Sequence, residues 1–159
     1  MSSGIDQTKG YVMTIISRRQ LVAGAMFLLT ASPAFAAAPV LEVWKNPSCG
    51  CCSAWAELFK TAGFTVTIHE VDDVAQVQSA AGVPADLGGC HSAKIEGYVI
   101  EGHLPVAAVQ RLLAERPALK GLSVPGMPVG APGMEIEGEP PQPFEVIAFT
   151  AEGARHPFK

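Results

Sequence analysis

The run Asn46-Pro-Ser-Cys-Gly-Cys-Cys-Ser-Ala-Trp55 narrows what this chain can fold into more than any other feature. It holds three of the four cysteines, Cys49, Cys51 and Cys52. Leu41 to Lys45, ahead of it, reads as a short strand, and its own Asn, Pro, Ser and Gly predict a turn. Cys52, Trp55, Ala56 and Phe59 then fall at i, i+3, i+4 and i+7, the apolar face of a helix that Gly63 ends. Phe64 to Val71 alternates again, Val66 and Ile68 on one side against Thr65, Thr67 and His69 on the other. Strand, cysteine turn, helix and strand follow in order, and C-x-x-C in a βαβ setting is a recognised thioredoxin-like cue. A cysteine in the first turn of a helix sits by unpaired N–H groups and the positive end of the dipole, which stabilise its thiolate.

Farther on, Asp72 or Asp73 caps a helix running through Ala81, stopped by Gly82 and Pro84. The loop "ADLGGCHS" leads into two extended runs around Lys94 to Glu101. Pro105 opens a third helix as its first residue, with Val106, Val109 and Leu113 inward, and Pro117 closes it. Gly121 to Pro143 is too rich in Gly and Pro for a helix or central strand and reads as a long Gly/Pro/Met-rich loop. Phe144 to Phe158 reads as a hairpin turning at Glu152-Gly153. The expected class is α/β, a mixed thioredoxin-like sheet flanked by helices.

The first residues carry an address rather than fold information. Ser17-Arg18-Arg19-Gln20-Leu21-Val22, the apolar run Leu21 to Thr30 and the A-x-A site Ala34-Phe35-Ala36 form a twin-arginine-like export signal, with cleavage expected near Ala36. Met13 is an alternative start. The apolar run is too short for a membrane anchor, which takes about 20 residues. The expected organisation is therefore residues 1–36 as cleaved signal and 37–159 as one periplasmic domain. Lys9, Arg18 and Arg19 leave with the signal, as does Asp6, so the formal net charge moves from −4 to −6. Such a field argues against nucleic acid and anionic lipid as partners and leaves metal cations open. In an oxidising compartment four cysteines also suit two structural disulfides.

Three uses of the sulfur remain open at this point: structural bonds, a redox pair, and metal. Cys49 and Cys52 have redox spacing, yet Cys51 between them competes for any mixed disulfide. Three thiols in one turn suit a soft metal. Cys90 is the fourth sulfur, on a loop that Gly88 and Gly89 let approach closely, and His91 beside it is the first imidazole candidate. His69 and His103 rank behind it as ordinary surface or core residues, and His156 as solvated. Once the signal is gone, Met127 and Met134 are the remaining methionines, both in "GMPVGAPGM". They either pin the loop to the domain or offer thioethers. Thiolate with thioether favours Cu(I), and imidazole serves both copper states.

"VWKNPSCGCCSAW", "CHSAKIEGYVIEGHLP" and "ERPALKGLSVPGMPVGAPGME", in that order, resemble the CopG family of exported copper-resistance proteins, over essentially all of the chain beyond Leu41. The resemblance implies a thioredoxin-like fold and a cysteine-bridged cluster of copper ions, with Cys49, Cys51, Cys52 and Cys90 as ligands. His91, Met127 and Met134 extend that set. The expected function is periplasmic Cu(I) binding in copper handling and resistance, with other copper-handling proteins as partners. The alternative is a thiol-disulfide or copper oxidoreductase using Cys49 and Cys52.

Overall fold

The structure is a computed structural model and describes residues 37–159; the export-signal reading lies outside the described residues. One mixed sheet carries the domain, in the order β2-β1-β3-β4-β5-β6-β7. The strands are β1 Val40–Lys45, β2 Thr65–Glu70, β3 His91–Ile95, β4 Tyr98–Gly102, β5 Gly121–Val124, β6 Ile147–Phe149 and β7 Arg155–Pro157. β1 runs parallel to β2 and antiparallel to β3, β3 and β4 form a hairpin, and β5 returns parallel to β4. The C-terminal hairpin β6-β7 closes the far edge, as expected.

The helices lie on both faces. On one side α1 (Gly50–Thr61) buries Cys52, Trp55, Ala56 and Phe59, the four positions expected from the spacing. With α3 (Val106–Glu115) it covers Leu41, Val43, Ala93, Ile95, Ile100, Leu122 and Ala148. On the other side the end of α2 (Val74–Ala80) and a short 3₁₀ turn (Ala85–Leu87) place Ala81, Val83 and Leu87 over Val99 and Phe149. Asp73 caps α2, its side chain accepting from Ala75 N at 2.9 Å. No helix among the described residues is long and apolar enough to cross a membrane.

Two local expectations are corrected. Gly121 to Val124 is not loop but a wholly buried strand, and only the chain beyond it is irregular. A methyl group on Gly121 would lie 2.0 Å from Val99 O, so glycine is there to let two backbones meet. Pro105 is the N-cap of α3 rather than its first residue. Leu113 packs against the core as expected, half-buried, and Leu112 beside it is fully buried. β2 is an edge strand, so Ile68 stays exposed despite the alternation.

Candidate metal centre

The C-terminal ends of β1 and β4 and the N-terminal end of β3 meet at one end of these central strands, and the cysteines gather there. Asn46 builds the turn out of β1: its Oδ1 accepts from Ser48 N at 3.0 Å and from Ser48 Oγ at 2.6 Å, and its carbonyl accepts from Cys49 N at 3.0 Å. The buried Lys45 draws the turn back by donating from Nζ to Asn46 O and Pro47 O. Cys49 thereby becomes the N-cap of α1, with Cys51 and Cys52 in its first turn.

The loop before β3 brings Cys90 to the same place. All four sulfurs lie within 4.8 Å of one another. Cys49 and Cys52 are joined as a disulfide, and Cys51 and Cys90 are free and half-buried. Cys51 Sγ is 3.5 Å from Cys49 Sγ, and Cys90 Sγ is 3.4 Å from Cys52 Sγ. The loop reaches this position because Gly89 passes over Gly102 so closely that a Cβ would be 2.6 Å from Gly102 Cα.

Two imidazoles flank Cys90. His91 Nδ1 lies 3.6 Å and His103 Nε2 3.2 Å from its sulfur, and these three ligand atoms form a second group within 4.8 Å. Both rings are fully buried and stand edge to face, and His91 packs on Trp55, whose Nε1 donates to Leu104 O. His103 donates from Nδ1 to Pro132 O at 2.8 Å. A carbonyl can only accept, so the proton sits on Nδ1 and the Nε2 lone pair faces the sulfur. Anchoring one ring nitrogen on a carbonyl in this way holds the other in position to bind a metal.

Burial sets the charge states. It pushes His91 down to about 3, with His103 beside it adding to the effect, and lowers His103 against the opposing pull of Pro132 O and Glu135. Burial also pushes the Cys90 thiol up to about 12, reinforced by Cys51. The wall thus presents neutral nitrogen donors and a thiol that a bound cation would deprotonate.

Behind Cys90 lies a buried carboxyl. Glu101 accepts from Gly89 N, Gln78 Nε2 and Ser92 Oγ, and Gln78 Nε2 also donates to Gly89 O. Burial pushes Glu101 up to about 7, the three hydrogen bonds opposing it.

Of the residues expected at a site, Cys49, Cys51, Cys52, Cys90 and His91 come together. Met134 is half-buried in the segment that closes over α1, where Gly133 lies against Trp55 N and Cys51 O; Met127 is 46% exposed. His69 stacks on Trp44 with Nε2 3.4 Å from Glu42, and His156 is exposed, as expected. His103 is the residue underrated in the sequence. Its signal was position: "EGHLP" puts it one residue beyond a strand that pairs with the strand carrying His91.

No curated protein matches. A family model described as "Protein of unknown function, DUF411" matches residues 87–134, the stretch from the Cys90 loop to Met134. Two solved structures match over the domain. One, titled "Copper resistance protein copG- Form 2", is 39% identical, covers 76% of this chain and 95% of its own, and superposes with a TM-score of 0.71. The other, the Form 1 structure of the same title, is 40% identical, covers 74% and 93%, and superposes with a TM-score of 0.69.

This chain belongs to the CopG family. Its four-cysteine group, set among CopG relatives titled as copper-resistance proteins, indicates copper handling.

Proposed function

We propose that the protein is a periplasmic copper-binding protein of thioredoxin-like fold that holds Cu(I) in a thiolate site, in one or several ions, as part of copper tolerance. The observation that carries this reading is the convergence of all four sulfurs within 4.8 Å at the first turn of a helix. Reduction of the Cys49–Cys52 bond gives four thiols there, and soft thiolates select Cu(I). His91 and His103 add imidazoles, and Met134 stands on the segment closing over the turn. Copper ions are the cargo, and other periplasmic copper-handling proteins the expected donors or acceptors. The signal at residues 1–36 delivers the 37–159 domain to that compartment.

An anaerobic Cu(I) titration of the reduced protein against a chromophoric chelator tests this reading. Several coppers per chain are expected to survive desalting, and Cys51→Ser is expected to lower the number. Unchanged stoichiometry in that variant would refute the cluster.

The second reading, an oxidoreductase, is favoured by the Cys49–Cys52 bond itself, which has the spacing of a redox disulfide. It expects turnover in a disulfide-reduction assay that Cys49→Ser abolishes and Cys51→Ser preserves.

A further inference from the structure

The Cys49–Cys52 disulfide is touched at both ends by a sulfur that is not part of it, Cys51 at Cys49 and Cys90 at Cys52. The two contacts differ chemically. A bond from Cys51 to Cys49 would have to close over Gly50 alone, within the first turn of α1. Cys90 comes from a separate loop, and it has a proton acceptor in place. His103 Nε2 is 3.2 Å from its sulfur, and the other ring nitrogen is anchored on Pro132 O. Nucleophile, base and orienting group are thus in line of contact.

We propose that Cys90 is the attacking thiol of an intramolecular disulfide exchange. Its sulfur attacks Cys52 Sγ while its proton passes to His103 Nε2; the Cys49–Cys52 bond breaks and a Cys52–Cys90 bond forms. The electron pair of the broken bond leaves on Cys49, at the N-terminus of α1, where free amides and the helix dipole favour a thiolate leaving group. The proton then moves from His103 to Cys49, and the site ends neutral. One S–S bond is lost and one gained, so no external oxidant or reductant takes part.

The exchange changes which thiols are on offer. Before it, the free pair is Cys51 and Cys90, one on each wall. After it, the pair is Cys49 and Cys51, both half-buried in one turn, and the disulfide is tied to the fully buried Cys52. An incoming soft ion or partner thiol would then meet two neighbouring thiols. The step is metal-free and does not rest on the copper reading, so either can fail without the other.

Disulfide mapping tests it. Trypsin cutting after Lys45, Lys60 and Lys94 leaves Cys49, Cys51 and Cys52 on one peptide and Cys90 on the next. The protein with Cys51→Ser, purified with its disulfide intact and free of metal, is acid-quenched, alkylated, digested and read by mass spectrometry. The expected result is a peptide pair linked through Cys52 and Cys90 beside the internal Cys49–Cys52 form. Protein with both Cys49→Ser and Cys51→Ser, oxidised by glutathione disulfide, is expected to give the linked pair alone. When reduced Cys51→Ser protein is reoxidised and followed in time, adding His103→Gln is expected to slow the appearance of the linked pair at least about tenfold. His156→Gln, on the exposed hairpin, is expected to leave it unchanged. Absence of linked peptide in both cysteine variants would overturn the proposal. An unchanged rate with His103→Gln would remove His103 from the step and overturn it in the form given.

Discussion

The two walls of the site are built on opposite plans. The sulfur wall is a turn and a helix start: Cys49 and Cys51 are half-buried, and the turn is shaped by Asn46, Ser48 and the reach of Lys45. The imidazole wall is interior: His91, Ser92, Glu101 and His103 are all fully buried, and the backbones of Gly89 and Gly102 touch. Local turn chemistry suffices for the first, whereas the second is held by mutual packing and by the hydrogen bonds of Ser92, Glu101 and His103. The difference teaches where stability and metal chemistry separate. Changes in the sulfur wall should alter what is bound, and changes in the imidazole wall should alter whether the site exists.

A pair of glycines gives the largest contrast. Gly102 has φ +71 and would place a Cβ 2.5 Å from Val124 O, while Gly50, the first residue of α1, has nothing within 4 Å. Gly102→Ala is expected to cost about 3 kcal/mol, from backbone strain and overpacking together. Gly50→Ala is expected to stay within about 0.5 kcal/mol, as open sites do. Urea unfolding of the disulfide-bonded protein measures both, and equal costs would break the comparison.

Next in size is the buried carboxyl. Glu101→Ala removes the acceptor for Gly89 N, Gln78 Nε2 and Ser92 Oγ, and an abandoned buried donor costs about 1 to 3 kcal/mol. A loss of about 2 kcal/mol is expected, since Gln78 and Ser92 can turn to other partners, and Glu101→Gln should recover about half of it. On the sulfur wall Cys51→Ser should cost less than about 1 kcal/mol while lowering the copper stoichiometry in the titration above.

The last effect is a slope with pH rather than a single loss. Burial raises Glu101 from 4.5 to about 7, so the folded state holds that proton more tightly and stability falls as pH rises through this window. His91 is lowered from 6.5 to about 3, so stability from its neutral form is full above 6.5 and is lost as pH falls toward 3. Each acts with a slope of up to about 1.4 kcal/mol per pH unit, and where the windows overlap they oppose. A plateau between roughly pH 4.5 and 6.5 is expected in chemical denaturation, falling on both sides. Glu101→Gln should flatten the alkaline fall and, with His91 then unopposed, turn the plateau into a rise that continues to about pH 6.5; an unchanged alkaline side would show that Glu101 is not the group responsible.

By itself the sequence determined the cysteine turn, the helix after it, the Asp73 cap and the terminal hairpin, because these rest on spacing and turn residues a few positions apart. Only the tertiary structure decided the rest. β5 carries no alternation because both its faces are buried, so four residues beginning with Gly121 read as loop. Glu101 looks in sequence like any polar strand residue, and its three donors come from α2, a loop and β3. The role of His103 depends on strand register, which brings it to Cys90 from thirteen residues away. Spacing fixes what lies on one turn or one face, but contact between distant segments is set by how the sheet pairs and what the interior must satisfy.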